Sequence, residues 1–399
     1  MPGMTRQLLI LIALACLLPA KAQISSVGAD STLRISLLTA APGAEVYQLE
    51  GHSGLRMQYD GRDFTANWGL FDFSAPNFIY RFVKGETDYK VGVWPTEYFL
   101  DEYRSEGRSV TEQVLNLTPA QCRRVIDLVE ENMRPENRVY RYNYVLDNCA
   151  TRPVAIIEKA CGDSIHFPVA AAGLEEKATF RNVMRRFHAD YPWYQFGIDL
   201  ALGPGIDAPI SVRQTGFAPV ILSEIAANAT IGDSIPLVKS TDMLVRGNPE
   251  GVVLPPTPWY LTPDTAMWAL VIICLMLRIR CNRHPVAAKL STAVYFAITG
   301  IEGCVIAFLV FVSSHEATTP NWLILWINPL CFIVPALEWW KKATPVVQLY
   351  LKWNMAMIVL YGITIAFGDE SPNSAFLPLA LSNIIMSLTC MKSLFKNIR

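Results

Sequence analysis

The sequence predicts two unlike halves, an α+β domain on the outer side of a membrane and, after it, a five-helix transmembrane domain. Three observations carry that division. A chain of 399 residues with 52% hydrophobic and 17% charged residues is too apolar for an ordinary soluble protein. Between Gln23 and about Val253 no apolar stretch approaches the ~20 residues that span a bilayer. Beyond Pro255-Pro256-Thr257-Pro258 five such stretches follow, at roughly 263–281, 291–313, 321–339, 346–367 and 374–391. Finally, the connections alternate in charge. Arg278, Arg280, Arg283 and Lys289 follow the first stretch, Lys341 and Lys342 the third, and Lys392, Lys396 and Arg399 the fifth, whereas SSHEATTPN and GDESPNSA contain no Lys or Arg. Basic loops stay in the cytoplasm, so residues 23 to 260 face outward.

The elements can be justified in chain order. Arg6, the apolar run from Leu8 to Leu18, Pro19 and the small-x-small triplet Ala20-Lys21-Ala22 read as a secretory signal peptide over residues 1–22, with an uncleaved anchor helix as the alternative. The domains are then 1–22, an outer domain over 23–255 and a membrane domain over 256–399. EVYQLEGHSGLRMQYD and DFTANWGLFDF read as a hairpin about Asp60-Gly61, with His52 on its first strand and Asn67 on its second. In NLTPAQCRRVIDLVEENM, Thr118, Pro119 and Gln121 make a capping box at the head of an amphipathic helix. RVYRYNYVLDN reads as extended and ATRPVAIIEKACG as a helix closed by Gly162, with Asp147 and Asn148 as caps and Cys149 in the first turn. Pro153 confines the helix start to a few residues upstream, because only a first turn tolerates a missing donor.

Composition excludes some functions. A formal net charge of -1, with no basic patch interleaved with aromatics, argues against a nucleic-acid partner. His166 and His188 have no Cys, His or carboxylate at ligand spacing, so no metal site or cofactor is expected.

Cysteine chemistry remains. The outer domain holds Cys122, Cys149 and Cys161, an odd number. On one helix Cys149 and Cys161 would stand ~18 Å apart, too far for a disulfide, whereas a pairing of Cys122 with Cys161 would leave Cys149 as a free thiol. The alternative is that Cys149 is a small buried hydrophobe. At a helix start, unpaired N–H groups and the helix dipole lower a thiol's pKa and can hold an oxyanion. A helix-start cysteine opposite a strand histidine is the arrangement of papain-like enzymes. Here the histidine comes first, which predicts a circularly permuted papain-like domain. Arg152, one turn beyond the thiol, is a candidate for binding a substrate phosphate or carboxylate, set against an ordinary ion-paired arginine. Glu302 and Asn328 lie inside expected spans, where polar side chains are either functional or paired with another helix. GIDLALGPGID, with Thr179, Arg181, Asp199 and Asp207, reads as structural.

EGHSGLRM, NWGLFDF, PNFIYRFVKG, DNCATRP, TFRNVMRRF, PWYQFGIDLALGPGID and the five terminal stretches together resemble the Bacteroides-type lipoprotein N-acyltransferase family, Lnb, over nearly the whole mature chain. More distantly, the His-before-Cys order is similar to that of permuted NlpC-type hydrolases and the lecithin:retinol acyltransferase group. The resemblance implies that Cys149 is the nucleophile and His52 its base, with Asn67 or else Asp72 as the third member, Asn67 being preferred because Asp72 sits near the strand end. It implies an enzyme in the bacterial inner membrane with its catalytic domain in the periplasm. Its partners would be a phospholipid acyl donor, a diacylated lipoprotein acceptor and the membrane itself. A membrane-anchored cysteine hydrolase acting on peptidoglycan or lipid is the competing enzyme, and a non-enzymatic membrane module with a buried thiol is the third reading.

Overall fold

The Asp60-Gly61 turn sets the frame of the outer domain. In the computed structural model, which describes residues 33–72, 74–168, 178–248, 255–368 and 370–396, both turn residues have positive φ (50° and 72°), the mirror-image geometry that matches strand twist in a two-residue hairpin. The turn joins β2 (His52–Tyr59) to β3 (Arg62–Leu70). The expected signal peptide lies outside the described residues.

Around this hairpin the sheet adds β1 (Arg34–Ala40), β4 (Asp88–Pro95), β5 (Val110–Leu115), β6 (Val139–Arg141) and β10 (Val238–Val245) in the order β10-β5-β1-β2-β3-β4-β6, every pair antiparallel. The segment expected to be extended from Arg138 to Asn148 is a strand only over β6; a turn follows, closed by reciprocal backbone bonds between Asn143 and Asp147. A small second sheet joins β7 (Ile165–His166), β8 (Thr230–Ile231) and β9 (Ile235–Pro236).

Side chains alternate across a strand, and both faces of the large sheet are covered. Leu55, Met57, Ala66 and Trp68 point to one face and pack with Val125 and Val129 of α3 (Pro119–Asn132) and Val154 and Ile157 of α4 (Thr151–Ala160). Burying a large apolar side chain of this kind contributes about 1.5–3 kcal/mol. Trp68 keeps its polar edge satisfied by donating Nε1–H to Asn132 Oδ1 at 2.8 Å. The capping box of α3 forms as expected, Gln121 N donating to Thr118 Oγ1 at 3.3 Å and Thr118 N to Gln121 Oε1 at 2.9 Å. The opposite face carries Leu38 and Ala40 under Phe99, Leu100 and Tyr103 of α2 (Thr96–Ser105). α1 (Phe78–Lys84) stands between β3 and β4 in sequence, and α5 (Phe180–His188), α6 (Pro192–Ala201) and α7 (Pro219–Asn228) complete the domain.

The membrane half corrects the count of spans. Among the described residues, three helical segments are long and apolar enough to cross a membrane, Pro285–Phe311, Lys341–Phe367 and Phe376–Leu394, where five were expected. The first lies in α9 (Pro285–Phe311), the second in α10 (Thr344–Phe367) with the turn before it, and the third in α11 (Phe376–Lys396). The first expected span is a regular helix, α8 (Pro263–Arg280), but its 18 residues include Asp264, Arg278 and Arg280. The third breaks into 3-10 turns, Trp322–Leu325 and Pro329–Phe332, and the short helix Ile333–Leu337. Pro329 supplies no N–H there, and Asn328 fills the gap: its Oδ1 accepts from Leu330 N at 3.0 Å and its Nδ2 donates to Leu325 O at 3.1 Å. Gly303 of α9 lies against this break, where a β-carbon would fall 2.3 Å from the Asn328 carbonyl carbon.

The connections that lack Lys and Arg sit against the outer domain. Ser314 N donates to Lys84 O at 2.9 Å, Asn321 Nδ2 to Leu200 O at 2.9 Å, and Asn373 Nδ2 to Asp199 Oδ2 at 2.9 Å. Arg185 reaches Ser371 Oγ at 2.8 Å and its carbonyl at 2.7 Å. Arg181, 1% exposed, forks onto Asp207 and also binds Asp199 at 2.7 Å. This buried ion cluster joins α5 and α6 to the loop before α11. Exposed Trp259 and Tyr260 precede α8, and exposed Trp339 and Trp340 precede α10; amphipathic rings of this kind favour the membrane–water interface.

Candidate active site

Strand register brings the first two candidate residues together. Gly54 pairs with Asn67 across the hairpin, so His52, two residues before Gly54, projects on the same face as Asn67 and diagonally from it. The His52 Nε2 to Asn67 Oδ1 distance is 2.6 Å. Gly54 keeps that face open for α2, since a β-carbon there would stand 2.9 Å from the Phe99 ring. Asp72 lies beyond the strand and instead accepts from Ser74 N at 2.8 Å and Ser74 Oγ at 2.6 Å.

Cys149 enters at the end of the same hairpin. It is 9% exposed and precedes α4 by two residues rather than lying in its first turn. Asn148 prepares this position: its Oδ1 accepts from Ala150 N at 2.8 Å and Thr151 N at 2.9 Å, and its Nδ2 donates to Phe217 O at 2.9 Å. Helical bonding nonetheless begins at the Asn148 carbonyl, which accepts from Arg152 N at 3.2 Å, and it skips Pro153, which has no N–H, to resume with Val154 N donating to Ala150 O at 3.4 Å. Asp147 is not a cap. It takes the guanidinium of Arg152 at 2.5 and 2.8 Å, and Arg152 lies over the Tyr140 ring at 3.5 Å.

Gly69 lies beside both Cys149 and His52. With φ of +89° it holds a conformation that side chains disfavour, and a β-carbon there would fall 3.6 Å from Cys149 Cβ and 3.9 Å from His52 Cε1. Both side chains therefore flank one glycine. With Nε2 engaged by Asn67, Nδ1 is the ring nitrogen left for the thiol. The imidazole is walled by Tyr103, stacked at 6.2 Å, and Phe99 at 6.3 Å. Arg108 lies over the far partner of that stack, 4.7 Å from the Tyr103 centroid, and donates to Ala41 O at 2.7 Å.

Electrostatics here run against the sequence-based expectation of an acidified thiol. Burial pushes the Cys149 thiol up to about 11, more than the N–H groups of Ser53 and of Cys149 itself pull it down. Burial likewise holds His52 below the ordinary imidazole value; the Asn67 bond opposes that and the Arg108 charge reinforces it. Enclosure outweighs the helix start, so near neutral pH the resting pair is a neutral thiol beside a neutral imidazole. Tyr89, Tyr103, Tyr140 and Tyr142 all feel the charge of a Cys149 thiolate, and Tyr89 is pushed up to about 12, mainly by burial.

Other sequence-marked residues lie elsewhere. Cys122 and Cys161 are free thiols in the core of the outer domain. His188, which sequence spacing left without a carboxylate, meets Glu50 from 138 residues away: its Nε2 lies 2.9 Å from Glu50 Oε1 and its Nδ1 2.8 Å from Gln195 Oε1. Among the described residues, no group of three or more His, Cys, Asp and Glu could hold a metal ion. Sequence reasoning passed over Gly69, Phe99, Tyr103 and the Ser53 N–H. Of these only Gly69 left a trace, as a glycine inside the strand pattern of NWGLFDF.

Neither a curated protein nor a solved structure matches the chain. Family models do. Residues 25–185 match that of the Lnb N-terminal periplasmic domain and residues 256–397 that of the Lnb transmembrane domain. Together these matches cover well over half of the chain, and it belongs to the Lnb family.

Proposed function

We propose that this protein is a cysteine-dependent lipoprotein N-acyltransferase of the inner membrane, in which a permuted papain-like domain over about 23–255 works on substrates delivered by the membrane domain over 256–399. Family membership supports a membrane-bound enzyme of lipoprotein processing with its N-terminal domain in the periplasm. The observation that carries the finer reading is the junction at Gly69, where Cys149 and a His52 oriented by Asn67 flank one backbone position.

In the first half-reaction His52 Nδ1 takes the thiol proton as Cys149 Sγ attacks an ester carbonyl of a phospholipid. The N–H groups of Ser53 and Cys149, which already favour negative charge at the sulfur, stabilise the oxyanion. Collapse breaks the ester C–O bond, His52 returns the proton to the glycerol oxygen, and lysophospholipid leaves an acyl thioester on Cys149. In the second half-reaction the α-amine of a diacylglyceryl-cysteine attacks the thioester. His52 takes the amine proton and passes it to the departing sulfur, leaving an amide and the free thiol. A neutral resting pair suits this cycle, because His52 must be free to accept a proton in each half. Arg152, held by Asp147, is assigned to substrate binding through the donors its guanidinium has left.

The test is the mass of the N-terminal peptide of a lipoprotein made with and without this protein. One additional amide-linked acyl chain that depends on Cys149 supports the assignment. An unchanged mass, with cleaved peptidoglycan or free fatty acid as the product instead, contradicts it in favour of a hydrolase.

A further inference from the structure

A groove of about 830 Å³ runs between the outer domain and the membrane half, within the range of about 300–1,000 Å³ usual for small-molecule sites. One wall is α1, with Ile79, Tyr80 and Val83; the other is the outer half of α9, with Cys304, Val305 and Phe308. The walls touch where Tyr80 meets Phe308 at 5.9 Å between ring centroids. Ile79 is 78% exposed and Val305 50% exposed, an apolar surface that water does not favour. α1 is also firmly placed. Its last carbonyls, which a helix leaves unpaired, accept from the loop after α9: Val83 O from Ser313 Oγ at 2.9 Å, Lys84 O from Ser314 N at 2.9 Å, and Phe82 O from the His315 ring nitrogen at 2.8 Å.

The groove adjoins the lipid-facing side of α9 at one end and a run of packed rings at the other. Because α9 is apolar and long enough to cross the membrane, its exposed side chains extend the groove directly into the lipid-facing surface. At the other end a run of rings leads inward, Phe78 to Phe71 at 5.7 Å, Phe71 to Tyr89 at 4.9 Å and Tyr89 to Tyr142 at 4.2 Å. The last two of these rings are among the tyrosines close enough to Cys149 to feel its charge.

We propose that the α1–α9 groove holds the acyl chain being transferred, its methyl end between Ile79 and Val305 and its carbonyl end led along the Phe71–Tyr89–Tyr142 rings to Cys149. This rests on the acyltransferase reading above. The occupant is the phospholipid donor's chain, because that chain is the one whose carbonyl must reach the sulfur and stay bonded to it through the thioester.

The experiment uses the full-length protein in detergent with a phospholipid whose transferred chain carries a diazirine near its methyl end, and no acceptor. Irradiation of the Cys149 thioester should label peptides containing residues 78–83 and 304–308. The same diazirine on a diacylated lipopeptide should not label them. In a second arm, Val305→Trp fills the groove, and the ratio of Cys149 acylation by long-chain to short-chain phospholipid should fall at least about tenfold, the loss expected when about two methylenes leave apolar surface. Labels placed elsewhere, or groove labelling by the lipopeptide, would overturn the groove assignment while the thioester itself upholds the enzyme reading. Absence of any thioester from any phospholipid would instead overturn the enzyme reading, and the groove assignment with it. The labelling arm needs no variant and so stands even if Val305→Trp fails to fold.

Discussion

The hairpin that carries His52 and the helix that carries His188 enclose their imidazoles in different company. His188 has an acceptor at each ring nitrogen, Glu50 at 2.9 Å and Gln195 at 2.8 Å, and is 1% exposed. Among the described residues His52 is bonded at Nε2 alone, by a neutral amide, with its Cε1 edge toward the glycine that also neighbours Cys149. A ring held on both sides by protein is a strut, while a ring held on one side retains a nitrogen for chemistry. The difference also explains why a carboxylate stands beside one and an amide beside the other. At His52 a full negative charge would favour the charged ring, whereas on the proposed reading Asn67 orients the ring and leaves it able to accept a proton.

The largest expected effect breaks that comparison most directly. His52→Ala should lower the rate of Cys149 acylation by about 10²–10⁴-fold with little change in melting temperature. His188→Ala should do the reverse. It leaves Glu50 buried with a partner missing, which costs on the order of 3 kcal/mol, while the rate per folded molecule stays within about threefold. Thermal melting and single-turnover acylation of the two variants read both quantities, and a stability loss in the first with a rate loss in the second would invert the assignment.

The pH profile sharpens it further. The base must be neutral to work, so the rate should rise with pH through the His52 pKa, and burial places that acid limb below the ordinary imidazole value of 6.5. Asn67→Ala removes a hydrogen bond that favours the charged ring, so its acid limb should move to still lower pH while the plateau falls by about tenfold as the ring loses its orientation. A limb that moves upward would mean that Asn67 does not act on His52.

Arg152→Ala should be the smallest effect on stability. The pair with Asp147 is partly exposed, 22% and 37% by side chain, and such pairs contribute about 0–1 kcal/mol. A role in substrate binding would appear as a raised KM with little change in kcat.

How much of this was legible beforehand follows from the range of each interaction. The hairpin and the capping box at Thr118 are local, and Asp60-Gly61 and Thr118-Pro119-Ala120-Gln121 state them outright. The His52–Asn67 pairing was half legible, because a two-residue turn fixes register. The thiol's environment was not. A helix start lowers a thiol's pKa, but burial wins, and the tyrosines that feel its charge, Tyr89, Tyr103, Tyr140 and Tyr142, are drawn from two strands, a helix and the turn after β6, which no spacing rule connects. His188 and Glu50 stand 138 residues apart and were invisible for the same reason. In the membrane half, hydropathy located the apolar stretches but averaged over Asn328-Pro329, where a missing donor breaks the third one into short turns.

The central claim is that Cys149, with His52 as base, carries the acyl group itself. The most direct measurement is the intact mass of the purified protein after incubation with a phospholipid and no acceptor. The account predicts one acyl adduct on Cys149 that neutral hydroxylamine removes, that a diacylated lipopeptide with a free α-amine discharges as an amide, and that forms at least about a hundredfold more slowly in His52→Ala. No adduct in the wild-type protein, with lipopeptide N-acylation proceeding nonetheless, or an adduct that survives Cys149→Ser, would contradict it.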